Sequence, residues 1–233
     1  MKYSYFPGCS SHSTGRAYEE SVRAVAEPLG LELQELEDWN CCGATAYMSV
    51  NEILSFSLTA RNLALAEKAD QPLVTACSAC YTNLMKTNVY LEKFPDLKTK
   101  VDEALAEASM SYRGHVPTRH LLEVVVNDVG LDAVKAAVKK PLEGLKVAPY
   151  YGCQIVRPYT YEADPYNPTS LEKVIEATGA TATRFALKTQ CCGGSLMATM
   201  NPVALRLCRL DDLQDDIFHA TALARIEWIA HTL

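Results

Sequence analysis

The tripeptide Cys-Cys-Gly occurs twice in this chain, as Cys41-Cys42-Gly43 and as Cys191-Cys192-Gly193. Each copy is preceded by a single cysteine that closes an aromatic, apolar segment: Tyr5-Phe6-Pro7-Gly8-Cys9, then Tyr150-Tyr151-Gly152-Cys153. Cys41 follows Cys9 by 32 residues and Cys191 follows Cys153 by 38, and an asparagine, Asn51 or Asn201, stands 8 residues after each glycine. Features recurring in one order mark an internal duplication. The halves then diverge. Cys77-Ser78-Ala79-Cys80 begins 26 residues after Asn51, whereas the same offset from Asn201 meets Glu227, with Ala230 where the last cysteine would stand. The second half therefore has no Cys-x-x-Cys, and Cys208, inside a helical pattern, reads as a core residue.

Nine cysteines in 233 residues need an explanation. The chain starts without the basic and apolar segments of an export signal, so reduced thiols in a cytoplasmic setting are expected rather than a disulfide framework. No apolar run approaches the roughly 20 residues of a membrane span. A net charge of −6, from 22 basic and 28 acidic residues, argues against a nucleic-acid groove. There is no P-loop and no Gly-x-Gly-x-x-Gly, so a flavin or nucleotide is expected on a partner chain. The hydrophobic share of 48% supports a sizeable core.

The patterning predicts an α/β fold of two pseudo-symmetric halves with parallel sheets, each built around a Cys-Cys-Gly motif. The expected division is residues 1–144, including a helical connector, and 145–233, a second half that lacks part of its motif. Bulky residues at 2–6, 31–36 and 72–75 read as strands. Residues 15–29, 52–68 and 79–94 have helical periodicity. Residues 95–142 read as helices. In the second half, 146–149 and 182–187 read as strands, 171–178 and 195–210 as helices, and 157–170 as a long ordered loop. Residues 211–233 show no sign of the strand that the first half places before its Cys-x-x-Cys. Each cysteine of the first half then lies at a strand end or in a turn that feeds a helix. In a parallel sheet those ends converge on one edge, where helix N-termini favour negative charge.

Thiolates bind zinc or iron. Closed zinc sites take four donors, commonly as two paired motifs. Here five cysteines spread along the chain, two of them adjacent. Neighbouring side chains on an extended segment diverge, and Gly43 permits the tight turn that lets both serve one site. Five thiolates fit an iron–sulfur cluster better than zinc, with zinc kept as the alternative. A thioredoxin-like dithiol at Cys77 and Cys80 would leave Cys9, Cys41 and Cys42 unexplained.

The spacing resembles the cysteine-rich CCG domain, which occurs twice in the B-subunit of heterodisulfide reductase and its relatives. The segment up to Cys9, the block Asp38-Trp39-Asn40-Cys41-Cys42-Gly43-Ala44-Thr45 and Arg61-Asn62-Leu63-Ala64 carry the resemblance further. It implies noncubane [4Fe-4S] clusters at the shared interface of the two halves. Cys9, Cys41, Cys42, Cys77 and Cys80 would form one complete ligand set, and Cys153, Cys191 and Cys192 three of the five ligands of a second. It further implies an oxidoreductase acting on sulfur groups: the catalytic subunit of a heterodisulfide reductase-like complex. Its partners would be a ferredoxin-like iron–sulfur subunit and a flavin-containing subunit, its substrate a small disulfide or thiol, and any membrane association would come through partners. The alternatives are an electron-transfer or docking subunit in succinate, glycolate or lactate oxidation or in sulfur oxidation, and a zinc-stabilised scaffold.

Outside these sets, His12 stands three residues after Cys9 and reads as a turn histidine, with donation to a cluster sulfur or a substrate as the functional alternative. Arg157 and Lys188 flank the second set and read as solvated unless they hold an anion. His115, His120, His219 and His231 show no metal-like spacing. Asp211, Asp212, Asp215 and Asp216 read as a solvated face. Tyr159, Tyr161 and Tyr166 read either as cover over a site or as packing.

Overall fold

The structure, a computed structural model, describes residues 1–13, 15–44, 47–114, 116–196, 199–208 and 222–224. The chain divides into two compact units, Met1–Leu121 and Leu122–Leu233.

The first unit is a four-stranded parallel sheet in the order β2-β1-β3-β4, made of β1 (Lys2–Tyr5), β2 (Glu32–Glu35), β3 (Leu73–Thr75) and β4 (Thr118–His120). β1 pairs with β2 from Lys2↔Glu32 to Tyr5↔Glu35 and with β3 at Tyr5↔Val74. Three-residue strands pair only where tertiary packing holds them, and β3 is buried throughout. Alternation along β1 and the residue after it sends Tyr5 to one face and Phe6 to the other. Tyr5 packs with Val22 of α1 (Arg16–Ala26) and with Ala76. Phe6 joins the larger core of Phe56, Leu63, Leu73, Leu84, Val101 and Tyr112.

α2 (Tyr47–Val50), α3 (Glu52–Lys68), α4 (Ser78–Lys93) and α5 (Pro95–Glu107) follow in sequence, the last three supplying most of that core. Asn51 begins α3 where the periodicity starts, its side chain accepting from the Leu54 amide at 3.0 Å. Burying Leu63 or Leu84, both fully enclosed, stabilises the unit by roughly 2 kcal/mol each.

Residues 95–142 are not wholly helical. β4 lies within them and pairs with β3 at Leu73↔Thr118 and Thr75↔His120. A three-residue, largely polar strand carries no periodic signal of its own; pairing at the sheet edge defines it. The chain passes into the second unit within α6 (Leu121–Val124), followed by a π-turn over Val125–Val129 and α7 (Leu131–Ala137).

The second unit repeats the first three-strand order. β5 (Lys146–Pro149) lies between β6 (Thr181–Ala182) and β7 (Ala222–Ala224), all parallel. Thus β6-β5-β7 matches β2-β1-β3, and the expectation that residues 211–233 hold no such strand is corrected: β7 pairs with β5 at Val147↔Ala222 and Pro149↔Ala224. Glu227, Ala230, His115, His219, His231 and the aspartates 211–216 lie outside the described residues. The strand expected at 182–187 is two residues long, because the chain turns at Phe185–Gln190, where Lys188 N–H donates to Phe185 O and Gln190 N–H to Leu187 O. α8 (Ser170–Ala177) falls where a helix is expected. The helix expected at 195–210 is a single 3-10 turn, Gly194–Leu196, and then α9 (Asn201–Cys208). Among the described residues no helix is long and apolar enough to cross a membrane.

Candidate metal centre

Every cysteine of the first set lies beyond the C-terminal end of a strand in one parallel sheet. β1 leads through Gly8 into a 3-10 turn, Cys9–His12. β2 leads into the loop that carries Cys41 and Cys42. β3 leads to Cys77, at the N-cap of α4, whose first turn carries Cys80. Parallel strands bring their C-terminal ends to one edge, so three distant segments meet there.

The thiols form a row. Cys41 Sγ lies 3.5 Å from Cys9 Sγ, and Cys42 Sγ lies 3.4 Å from Cys80 Sγ. Cys41 and Cys42, adjacent in sequence, therefore reach different partners. Cys9 is exposed, Cys41 half-buried and Cys42 and Cys80 buried. Gly8, at φ 82 and ψ 157, makes this packing possible: a β-carbon there would sit 3.0 Å from Cys80 Sγ.

The row is electrostatically uneven. The Cys41 and Cys80 thiols, both facing Cys42, pull it down to about 4. Cys80, in turn, pulls Cys77 down, and the amides of Cys80 and Ala79 at the start of α4 add to this. Cys41 and Cys80 are pushed up, first by Cys42 as a neighbour and then by burial or by further thiols. Two lowered thiols thus alternate with two raised ones.

Asn40 and Asn62 exchange bonds that pin the approach to the pair: Asn62 Oδ1 accepts from Asn40 N–H at 2.9 Å and Asn62 Nδ2 donates to Asn40 O at 2.8 Å. Arg61 donates to Asp38 O at 2.5 Å and to Asn40 Oδ1 at 3.0 Å. Thr59 and Asn83 donate to Cys42 O. None of these polar side chains stood out as a site residue from its position. The available signal was register: Thr59 shares the buried face of Phe56 and Leu63, and Asn83 that of Cys80 and Leu84.

His12 is exposed. Its Nε2 lies 3.4 Å from Glu35 Oε1, and its ring centroid 5.4 Å from that of Trp39, whose Nε1 donates to the same carboxylate at 3.0 Å. That fits a histidine that closes a turn beside the row. His120, at the end of β4, is fully buried and pushed down to about 3 by burial.

In the second unit, Cys153 follows β5, and its thiol is raised by burial and then by Cys191 and Cys192, so the three are neighbours. Cys191 and Cys192 are exposed. Gly193 N–H donates to Cys191 Sγ and Gly194 N–H to Cys192 Sγ, both at 3.4 Å. Lys188 is not a solvated anion holder. It is buried, its Nζ 2.5 Å from Glu172 Oε1 and 2.6 Å from Pro168 O. Arg157 donates to Thr189 O at 2.6 Å, ahead of the cysteine pair, and stacks over Tyr166 at 6.0 Å. Tyr166 itself is exposed, and Ser170 Oγ donates to Glu162 Oε1 and lies 3.4 Å from Tyr161 Oη, so the loop packs on its own residues.

Known proteins resemble this chain over most of its length. The model of the CCG family, a cysteine-rich domain, matches residues 3–85 and 147–211. The 8-methylmenaquinol:fumarate reductase membrane anchor subunit of Wolinella succinogenes is 37% identical over 195 residues, 82% of this chain and 67% of that protein. A protein of Archaeoglobus profundus, named for its likeness to the heterodisulfide reductase B-subunit, is 33% identical over 225 residues, 93% of this chain and 75% of that one. The B-subunit of the ferredoxin:CoB-CoM heterodisulfide reductase of Methanosarcina mazei is 30% identical over 195 residues, 82% of this chain and 65% of that protein. A crystal structure of a hypothetical protein from Helicobacter pylori shares the fold, with a TM-score of 0.68 and 15% identity over 99% of this chain and 48% of that one. With both copies of the domain matched and relatives alike over most of its length, this chain belongs to the cysteine-rich CCG family that includes the B-subunit of heterodisulfide reductase.

Proposed function

We propose that the chain is the iron–sulfur catalytic subunit of a heterodisulfide reductase-like complex, with a noncubane [4Fe-4S] cluster held by Cys9, Cys41, Cys42, Cys77 and Cys80. One observation carries the reading: five thiols from three strand ends gather in one row, with the pairs Cys9–Cys41 and Cys42–Cys80 at 3.5 and 3.4 Å. An all-sulfur donor set is soft and suits iron–sulfur chemistry. A row suits a cluster, whose irons are separate, better than one zinc ion, whose four donors must surround a point.

Such a cluster supplies one-electron steps and iron positions that accept sulfur. The chain's own part is to present thiolates, and the lowered Cys42 and Cys77 lose their protons to an incoming metal more readily than the raised Cys41 and Cys80. The exposed end at Cys9, flanked by His12 and Trp39, is where a small disulfide would approach. Cys153, Cys191 and Cys192 would hold a second cluster once further donors complete the set. A ferredoxin-like subunit and a flavin-containing subunit would deliver the electrons.

The 37% identity to a fumarate reductase membrane anchor subunit supports a second reading, an electron-relay or docking subunit without a disulfide substrate. Protein purified without oxygen decides between them. Iron with an equal amount of acid-labile sulfide is expected, about four of each per cluster. Oxidation of reduced viologen on adding CoB–CoM heterodisulfide would support the catalytic reading; a reducible cluster with no such turnover would support the relay. Zinc without sulfide would overturn both.

A further inference from the structure

The carbonyl of Cys42 is bonded by side chains alone among the described residues. Thr59 Oγ1 lies 2.7 Å from it, and Asn83 Nδ2 reaches it from the neighbouring helix. Asn83 Nδ2 also lies 3.1 Å from Thr59 Oγ1. The inventory closes: a carbonyl oxygen has two lone pairs, an amide nitrogen two hydrogens, and a hydroxyl one hydrogen with room to accept. Asn83 gives one hydrogen to the carbonyl and one to the hydroxyl. Thr59 gives its own to the carbonyl, the nearer of its two acceptors, with Ser55 O at 3.0 Å.

This triangle lies in the apolar core, with Thr59 fully buried and Asn83 nearly so. A buried amide and hydroxyl are costly unless satisfied, and here both are spent on one peptide group of the cysteine pair. That peptide joins Cys42 to Gly43, which turns at φ 72. Fixing its carbonyl fixes the direction in which Cys42 leaves the backbone. The neighbouring Asn62–Asn40 exchange fixes the peptide before Cys41. Together they explain how adjacent thiols reach Cys9 and Cys80 separately.

We infer that Thr59 and Asn83 are positioning residues: through the Cys42 carbonyl they aim the buried thiol into the row. The inference rests on the row being a thiolate site for metal, as proposed above.

The test is a cadmium titration of the apoprotein, followed by its thiolate-to-metal absorption, on Thr59→Val and Asn83→Leu. Both variants keep the branching and number of side-chain heavy atoms and lose the donors. Residues that orient metal ligands typically alter affinity by roughly 10–100-fold, and a fall of that size is expected for each. Thr59→Ser, which keeps the hydroxyl, should bind like the parent. Thr87→Val is the control: Thr87 is equally buried on α4 and donates to Asn83 O at 2.9 Å, away from the cysteine segment. It should lower the melting temperature and leave cadmium affinity unchanged. Parental affinity in Thr59→Val overturns the inference, and so does an equal loss in Thr87→Val. If Asn83→Leu does not fold, the Thr59 pair of variants decides alone. Iron and sulfide content of the parent is measured on the same preparation. Cadmium bound tightly by a chain that never carries iron would sink the iron–sulfur reading and leave this inference standing.

Discussion

The two units share a backbone plan and differ in how they bury it. Both place a parallel strand before a single cysteine, both turn at a glycine of positive φ after the cysteine pair (Gly43 at 72, Gly193 at 75), and both fasten the approach to that pair with an arginine, Arg61 on Asp38 O and Arg157 on Thr189 O. In the first unit, α3 and α4 then close over the turn, and Cys42 and Cys80 enter the core beside Phe56 and Leu84. In the second, a 3-10 turn and the eight-residue α9 follow, and Cys191 and Cys192 are exposed, their sulfurs met by backbone amides. The strand-and-turn geometry that presents cysteines is thus separable from the helices that enclose them. Duplication has kept the first and varied the second.

The sharpest way to break the comparison is to remove one thiol from each unit. Cys42→Ser should abolish nearly all iron bound by the first set, because the buried thiolate in the row has no substitute. Cys192→Ser should leave that iron in place. Iron and sulfide per chain, on anaerobically purified protein, check both. Equal losses would mean that iron retention by the first set depends on Cys192 and would break the comparison.

The cysteine sets were legible because chemistry constrains their spacing tightly. The long helix Glu52–Lys68 and the strand Lys146–Pro149 were legible to the residue because apolar periodicity and flanking breakers agree there. β4 was not. Thr118-Arg119-His120 has no strand pattern, and only pairing with Leu73–Thr75 makes it one. β7, an Ala-Leu-Ala strand, is equally unmarked. The burial of Lys188 is not legible because a charged residue is normally exposed; nothing local announces that Glu172, 16 residues earlier, is its half-buried partner.

That pair supplies the next contrast. Lys188→Met would leave the half-buried Glu172 carboxylate with Tyr151 as its remaining partner among the described residues, and breaking the pair from one side should cost about 3 kcal/mol, the lower end for buried pairs. In the first unit, Arg61 holds Asp38, which is mostly exposed, so Arg61→Met removes chiefly neutral carbonyl bonds, at about 1–2 kcal/mol. Urea unfolding of the two variants should show the larger loss for Lys188→Met. The reverse order would mean that the Asp38–Asn40 loop is the more critical of the two.

Acid should act on the first unit through His120. Its folded value of about 3 lies below the ordinary 6.5 because burial disfavours the charged ring. Below about 6.5 the unfolded chain takes up a proton that the folded one refuses. Stability is therefore full above that pH and falls by about 1.4 kcal/mol for each unit lowered between 6.5 and 3. Urea unfolding of the apoprotein at pH 5.5 and 4.5 should show this slope, and His120→Gln should flatten it. An unchanged slope would place the acid sensitivity on other groups.

The smallest contrast is between Gly8 and Gly152, which occupy the same place before Cys9 and Cys153. Both have positive φ, 82 and 69, so an alanine at either is strained, by about 1–3 kcal/mol. Their surroundings differ. A β-carbon at Gly8 would stand 3.0 Å from Cys80 Sγ, while one at Gly152 would meet nothing closer than the Tyr150 ring at 3.7 Å. The Cys80 thiol is held between Cys42 and the first turn of α4, so it yields only by leaving the row. Gly8→Ala should then lose iron from the first set as well as stability, whereas Gly152→Ala should lose stability alone. Melting temperature and iron content measured together separate the two effects. If Gly8→Ala melts lower but keeps its iron, Cys80 is not held by the close approach of the Gly8 backbone, and the enclosure of the first site rests on the helices alone.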